Sequence, residues 1–195
     1  TLDGTLFPYT TLFRSRFGTL MDRVHFPLTL EEMRSEIFFH QLAGNETFSL
    51  GPFLIGNIGL SHPGGSWAYR VSTNGKNVVF ATDGEYRDRT AAGLAPFIEF
   101  YRGADLLIFD AMYSTLEQAN AKADYGHSTA VIGVDIALRA GVKTLVLFHH
   151  DPESDDRQIL DSFIRACSYR ESMREEFPKN DLRIMAAFDG MSIEI

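Results

Sequence analysis

Lys143-Thr-Leu-Val-Leu-Phe148-His149-His150-Asp-Pro152 decides the fold class. Its apolar run carries no polar alternation, the pattern of a strand covered on both faces, and such strands belong to parallel sheets flanked by helices. Just upstream, Ser128 to Ala140 sets Val131, Val134, Ala137 and Leu138 at helical spacing, with Ser128 or Thr129 as cap and Gly141 as stop. Further upstream, Leu94 to Tyr101 predicts a helix and Ala104-Asp-Leu-Leu-Ile-Phe-Asp110 a second buried strand. Downstream, Asp155 to Glu175 is an amphipathic helix, and Arg183-Ile-Met-Ala-Ala and Met191-Ser-Ile-Glu-Ile are expected strands. This half of the chain therefore reads as β-α-β.

The preceding half is β-rich. Thr47 to Leu60 reads as a hairpin around Gly51-Pro52 that ends just before His62. Trp67-Ala-Tyr-Arg-Val alternates as a half-buried strand, Asn74-Gly75 is a two-residue turn, and Asn77-Val-Val-Phe-Ala-Thr is the returning strand. Nearer the start, Phe17 to Phe26 is helical or irregular. Thr29 caps an expected short helix with Glu31 and Glu32 in its first turn, and Glu36 to Leu42 is an expected strand.

A length of 195 residues suits one domain with a real core, or a large piece of a bigger one. The composition, 45% hydrophobic and 23% charged, is that of a globular protein. No apolar stretch reaches the roughly 18 residues of a membrane span. Cys167 is the only cysteine, which rules out an internal disulfide and fits a reducing, cytoplasmic setting. The net charge of −8 and the scattered Lys and Arg disfavour an extensive nucleic-acid interface. A small anionic substrate held by metal remains compatible, because the metal supplies local positive charge.

Residues 5–15, Thr-Leu-Phe-Pro-Tyr-Thr-Thr-Leu-Phe-Arg-Ser, match codon for codon one reading frame of a common sequencing-library adapter. Residues 1–15 are therefore set apart as a non-native segment, leaving 16–195 as a partial domain, with the natural sequence expected to begin near Arg16.

Four polar clusters stand at the edges of these elements: His62-Pro-Gly-Gly-Ser-Trp-Ala-Tyr-Arg70, Phe80-Ala-Thr-Asp83-Gly-Glu85, Gly126-His127-Ser128-Thr129 and Phe148-His149-His150. Imidazole and carboxylate are the donors of a hydrolytic zinc site, and strand ends can bring them to one sheet edge. Each also has a plainer reading. His62 before Pro-Gly-Gly suits a turn, Asp83 before Gly84 suits a turn, and His127 could only help cap the helix after it. His149 and His150 are adjacent, so a strand would send them to opposite faces; His149 is the favoured ligand, and the reverse assignment stays open.

In this order, His-Pro-Gly-Gly, Ala-Thr-Asp-Gly-Glu, Gly-His-Ser-Thr and Leu-Phe-His-His-Asp-Pro resemble the metallo-β-lactamase-fold hydrolases, and most of all their phosphodiesterase and ribonuclease Z-like branch. The resemblance covers roughly Leu20 to Ile195. It implies an α/β fold, the C-terminal portion of an αββα sandwich of metallo-β-lactamase type. It also implies two divalent metals, commonly zinc, with manganese or iron as alternatives. By resemblance His62 binds one metal, Asp83 bridges both, His149 binds the other, His127 sits over the scissile phosphate, and Asp110 orients His127. The implied reaction is phosphodiester hydrolysis by a dimetal-bound hydroxide, on a small phosphodiester or other anionic substrate, in a protein that could form a homodimer. Thioester or lactam hydrolysis is disfavoured by the Gly-His-Ser-Thr loop. The branch's H-x-H-x-D-H signature, which supplies four ligands, does not occur in the sequence. Each metal keeps one histidine and the shared Asp83, so impaired activity is expected, and the rival reading is a non-catalytic remnant or interaction domain.

Overall fold

The computed structural model describes residues 18–34, 42–179 and 181–195. The expected strand over Glu36–Leu42 lies almost wholly outside them, as does the adapter-like segment. The chain divides into two compact units, Thr1–Ala43 and Gly44–Ile195. In the first, the expected helix after Thr29 is a single 3-10 turn, Leu30–Glu32, closed by the Glu32 carboxylate accepting from the Thr29 N–H at 3.0 Å.

The second unit is built on one seven-stranded sheet whose spatial order follows the chain: β1 Thr47–Leu50, β2 Phe53–Leu60, β3 Ser66–Thr73, β4 Lys76–Ala81, β5 Leu106–Asp110, β6 Thr144–Phe148 and β7 Arg183–Ala186. β1 to β4 are antiparallel, joined by the expected tight turns, with Gly51 and Asn74-Gly75 in the left-handed region such turns need. From β4 onward the pairing is parallel. Each parallel step takes a helical crossover: α1 (Ala91–Tyr101) before β5, α2 (Leu116–Ala121) and α3 (Ala130–Ala140) before β6, and α4 (Asp156–Ser172) before β7. Such crossovers are right-handed, and here each moves to the next strand in the same direction. They therefore stack α1, α3 and α4 on one face of the sheet, where α3 packs against β5 and β6 and lies between α1 and α4.

That arrangement decides where the core sits. Val79, Ala81, Leu107, Phe109, Leu145 and Leu147 alternate toward the helices and are fully or almost fully buried. On the opposite face the neighbouring strands align Tyr69, Phe80, Ile108 and Val146. Tyr69 and Phe80 there are 37% and 42% exposed, as is Phe148 at 40%. The expectation of a strand covered on both faces thus holds for the middle of β6 and fails at its end.

The caps follow sequence chemistry. Thr129 accepts from the Ile132 N–H at the start of α3, and Gly141 ends that helix at φ 67°. Asp155 and Gln158 form a reciprocal capping box on α4. The expected strand over Met191–Ile195 does not form. β7 last bonds to β6 through the Ala187 N–H to Leu147 carbonyl contact, and after the turn at Gly190 the terminal residues pair with no strand among the described residues.

Candidate metal centre

The site lies along the edge where the parallel strands end. Asp83 follows β4, Asp110 is the last residue of β5, His149 follows β6 and His62 follows β2. Ligand sites in open α/β sheets form at such carboxyl ends, where loops diverge and backbone groups are free. Asp83 and His149 both adopt the left-handed region, at φ 58° and 57°. For residues with a Cβ this conformation is strained and persists only where surrounding contacts impose it.

Asp83 is the centre of the arrangement. Its Oδ1 lies 3.7 Å from His62 Nε2 and 3.4 Å from His149 Nε2. Its Oδ2 accepts from the Thr82 hydroxyl at 2.9 Å, so Oδ1 alone is presented to the imidazoles. Donors around a tetrahedral zinc with bonds near 2.0–2.1 Å stand about 3.3–3.4 Å apart, close to both separations.

Asp110 is fully buried and holds the edge together. Its carboxylate accepts from the backbone N–H groups of Asp83 at 2.9 Å, Met112 at 3.1 Å and Ser128 at 3.2 Å, and it contacts His127 Nδ1 at 2.9 Å. A buried carboxylate needs such donors, and here they fix two loops and one imidazole at once. The His127 ring then packs edge-on to His62 at 5.3 Å between centroids and stacks on His149 at 4.9 Å.

The five residues expected at the site are thus brought together. His150 is not among them: its buried Nε2 has no protein partner, and burial lowers its pKa below the ordinary imidazole value. The donor set suits a borderline divalent metal. Among the described residues, two groups bring their donor atoms within 4.8 Å of one another: His62, Asp83 and His127, and Asp110, His127 and His149. The buried Nδ1 of His149 has no protein partner.

Sequence reasoning missed the supports of these loops. Glu85 pairs with Ser61 through the backbone, its N–H donating to the Ser61 carbonyl at 2.9 Å. Its carboxylate binds Arg87 Nε at 2.9 Å and accepts from the Asp124 N–H at 3.1 Å, while Arg87 also reaches the Asp124 carboxylate. Glu85 so joins the His62, Asp83 and His127 loops. Gly126, at φ 87°, lies against His62; a Cβ there would stand 2.3 Å from His62 Cδ2. The presence of both residues inside the quoted motifs was the available signal.

No family model matches the chain. Ribonuclease Z from Trichodesmium erythraeum (strain IMS101) is 30% identical over 123 residues, covering 62% of this chain and 33% of that protein. The chain spans about a third of the length of the curated relatives it matches. Among solved structures, the metallo-β-lactamase fold protein YhfI from Bacillus subtilis superposes with a TM-score of 0.57 at 23% identity, over 77% of this chain and 53% of that one. The short form of human tRNase Z gives a TM-score of 0.50 at 21% identity, over 76% of this chain and 46% of that one.

Proposed function

We propose phosphodiester hydrolysis, starting from two shown facts: the chain has the metallo-β-lactamase fold, and its sequence is ribonuclease Z-like. One observation carries the reading. A carboxylate oxygen stands between two imidazole nitrogens, beside a third imidazole held by a buried carboxylate. In this reading His62 and His149 would each hold one divalent metal, zinc first and manganese or iron next, with Asp83 as the carboxylate they would share. When bound, such a pair supplies Lewis acidity and a water of lowered pKa.

The protein's own groups do the rest. Asp110 fixes the His127 tautomer by taking Nδ1–H, so Nε2 is the atom that exchanges a proton with the departing alkoxide. Thr82 and the Asp83 N–H bond to Asp110 aim the bridging carboxylate. The Glu85–Arg87–Asp124 cluster and Gly126 keep the His127 loop beside His62.

The remaining ligands of a complete dimetal site are not in this sequence, so the activity belongs to a protein that contains them. Its substrate is a phosphodiester. The names of the sequence relatives favour RNA, and the net charge of −8 favours a small diester. The non-catalytic reading is favoured by the missing H-x-H-x-D-H alone. The test is zinc- or manganese-dependent cleavage of bis(p-nitrophenyl) phosphate and of a 3′-extended RNA by protein carrying the full ligand set. His127→Ala is expected to lower kcat about 10²–10⁴-fold. Asp83→Ala is expected to abolish binding of the metal pair, measured by equilibrium dialysis. Turnover of thioesters or lactams without any phosphodiester cleavage would refute the proposal.

A further inference from the structure

The hydrolytic reading gives His127 only a proton to move. Its surroundings equip it for a second task. Asp110 Oδ2 occupies Nδ1 at 2.9 Å, which leaves Nε2 as the free nitrogen. An imidazole whose far nitrogen is held by a buried carboxylate is the arrangement that orients histidine ligands toward a metal and raises their basicity. The donor atoms of His62, Asp83 and His127 already lie within 4.8 Å of one another. Asp83 offers a free Oδ1, because Thr82 engages Oδ2.

The packing is selective for this cluster. The loop carrying His127 can reach His62 only because residue 126 has no side chain, since any Cβ would meet His62 at 2.3 Å. His62 and His127 meet edge to face, with ring centroids 5.3 Å apart. A metal ion would take a lone pair from each ring and one from the carboxylate.

We infer that His127 is a metal ligand in this chain, completing with His62 and Asp83 a two-histidine, one-carboxylate site for a single divalent ion of the zinc, cobalt(II) or iron(II) class. His149 Nε2 lies 3.4 Å from Asp83 Oδ1 but falls outside this three-donor cluster. This rests on reading the edge as a metal centre and is independent of phosphodiester hydrolysis. It has a chemical consequence: one lone pair cannot both ligate and carry a proton, so His127 serves the metal here and serves proton transfer only where other ligands hold the ions.

The test titrates this chain with cobalt(II), following its visible d–d absorption and counting bound ion by equilibrium dialysis, with zinc as competitor. The variants are His127→Ala and His127→Asn, the second keeping a side-chain amide for Asp110, with His25→Ala as control. One cobalt per chain is expected in the unmodified protein. Both His127 variants should weaken binding at least about 100-fold and change the absorption band, and Asp110→Asn should weaken it about 10-fold. His25→Ala should change nothing. Unaltered affinity and spectrum in folded His127→Asn, or no cobalt bound by the unmodified chain, would overturn the inference. Neither result touches the hydrolytic proposal, which is read by turnover of the protein with its full ligand set.

Discussion

Gly126 and Gly64 separate two effects that a glycine can have on one site. Both are left-handed, at φ 87° and 84°, but only at Gly126 would a Cβ collide, whereas nothing lies within 4 Å of a Cβ at Gly64. Gly64→Ala should therefore cost backbone strain of about 1 kcal/mol. Gly126→Ala adds a clash with His62 and should cost about 1–3 kcal/mol and weaken cobalt binding as well. Urea denaturation of the two variants beside a cobalt titration checks this; equal behaviour of both would remove Gly126 from the site. The five residues that converge here each sit in a short motif, four at strand ends and His127 just before the cap of the helix Ala130–Ala140, and those motifs were legible. Their supports were not. Arg87 and Asp124 stand 37 residues apart on exposed loops, and no local pattern links them. Gly126 was visible only as the residue before His127, with nothing in the sequence to say which side chain it approaches.

The strands and long helices were legible for physical reasons that the failures make plain. Asn74-Gly75 specifies its turn, and Ser128 to Ala140 combines cap, apolar stripe and stop in one stretch. The helix Leu116–Ala121 is six residues with Glu117, Gln118 and Asn120 among them, too short and polar to show a period. At the opposite end of the strands from the site, Asp105 ties β4, β5 and β6. It accepts from the Asn77 N–H at 2.8 Å and from Lys143 Nζ at 2.7 Å, and is 6% exposed. The Lys143 ammonium, with the Asn77 N–H and Lys76, lowers its pKa below the ordinary 3.8 against the opposing effect of burial. A carboxyl lowered in the folded state stabilises fully above its unfolded value and loses that contribution as pH falls through its folded one. Asp105→Asn should accordingly be less stable at pH 7, and its stability should fall less steeply than the parent's below pH 4. Acid titration of both proteins by circular dichroism reads the difference, and parallel curves would contradict it.

Across the whole sheet, same-sense crossovers put the three long helices of this unit, among the described residues, on one face. Trp67, Tyr69, Phe80 and Phe148 on or beside the opposite face are each about two-fifths exposed, and the Phe80 and Phe148 rings lie 6.0 Å apart. An apolar aromatic patch of this kind binds hydrophobic probes and promotes association. The chain should enhance anilinonaphthalene sulfonate fluorescence and sediment faster as its concentration rises, and Phe80→Ser with Phe148→Ser should reduce both. A monomer that leaves the dye dark would show the face to be covered. No helix of the described residues is long and apolar enough to cross a membrane.

The sequential order of the strands also bears on biosynthesis. Every strand after the first pairs with the one made just before it, so a ribosome could lay the sheet down from one edge to the other without waiting for distant sequence. The donors emerge in the order His62, Asp83, His127 and His149. An ion captured during synthesis would thus meet the His62, Asp83 and His127 set first, and the last histidine would close on a centre already filled.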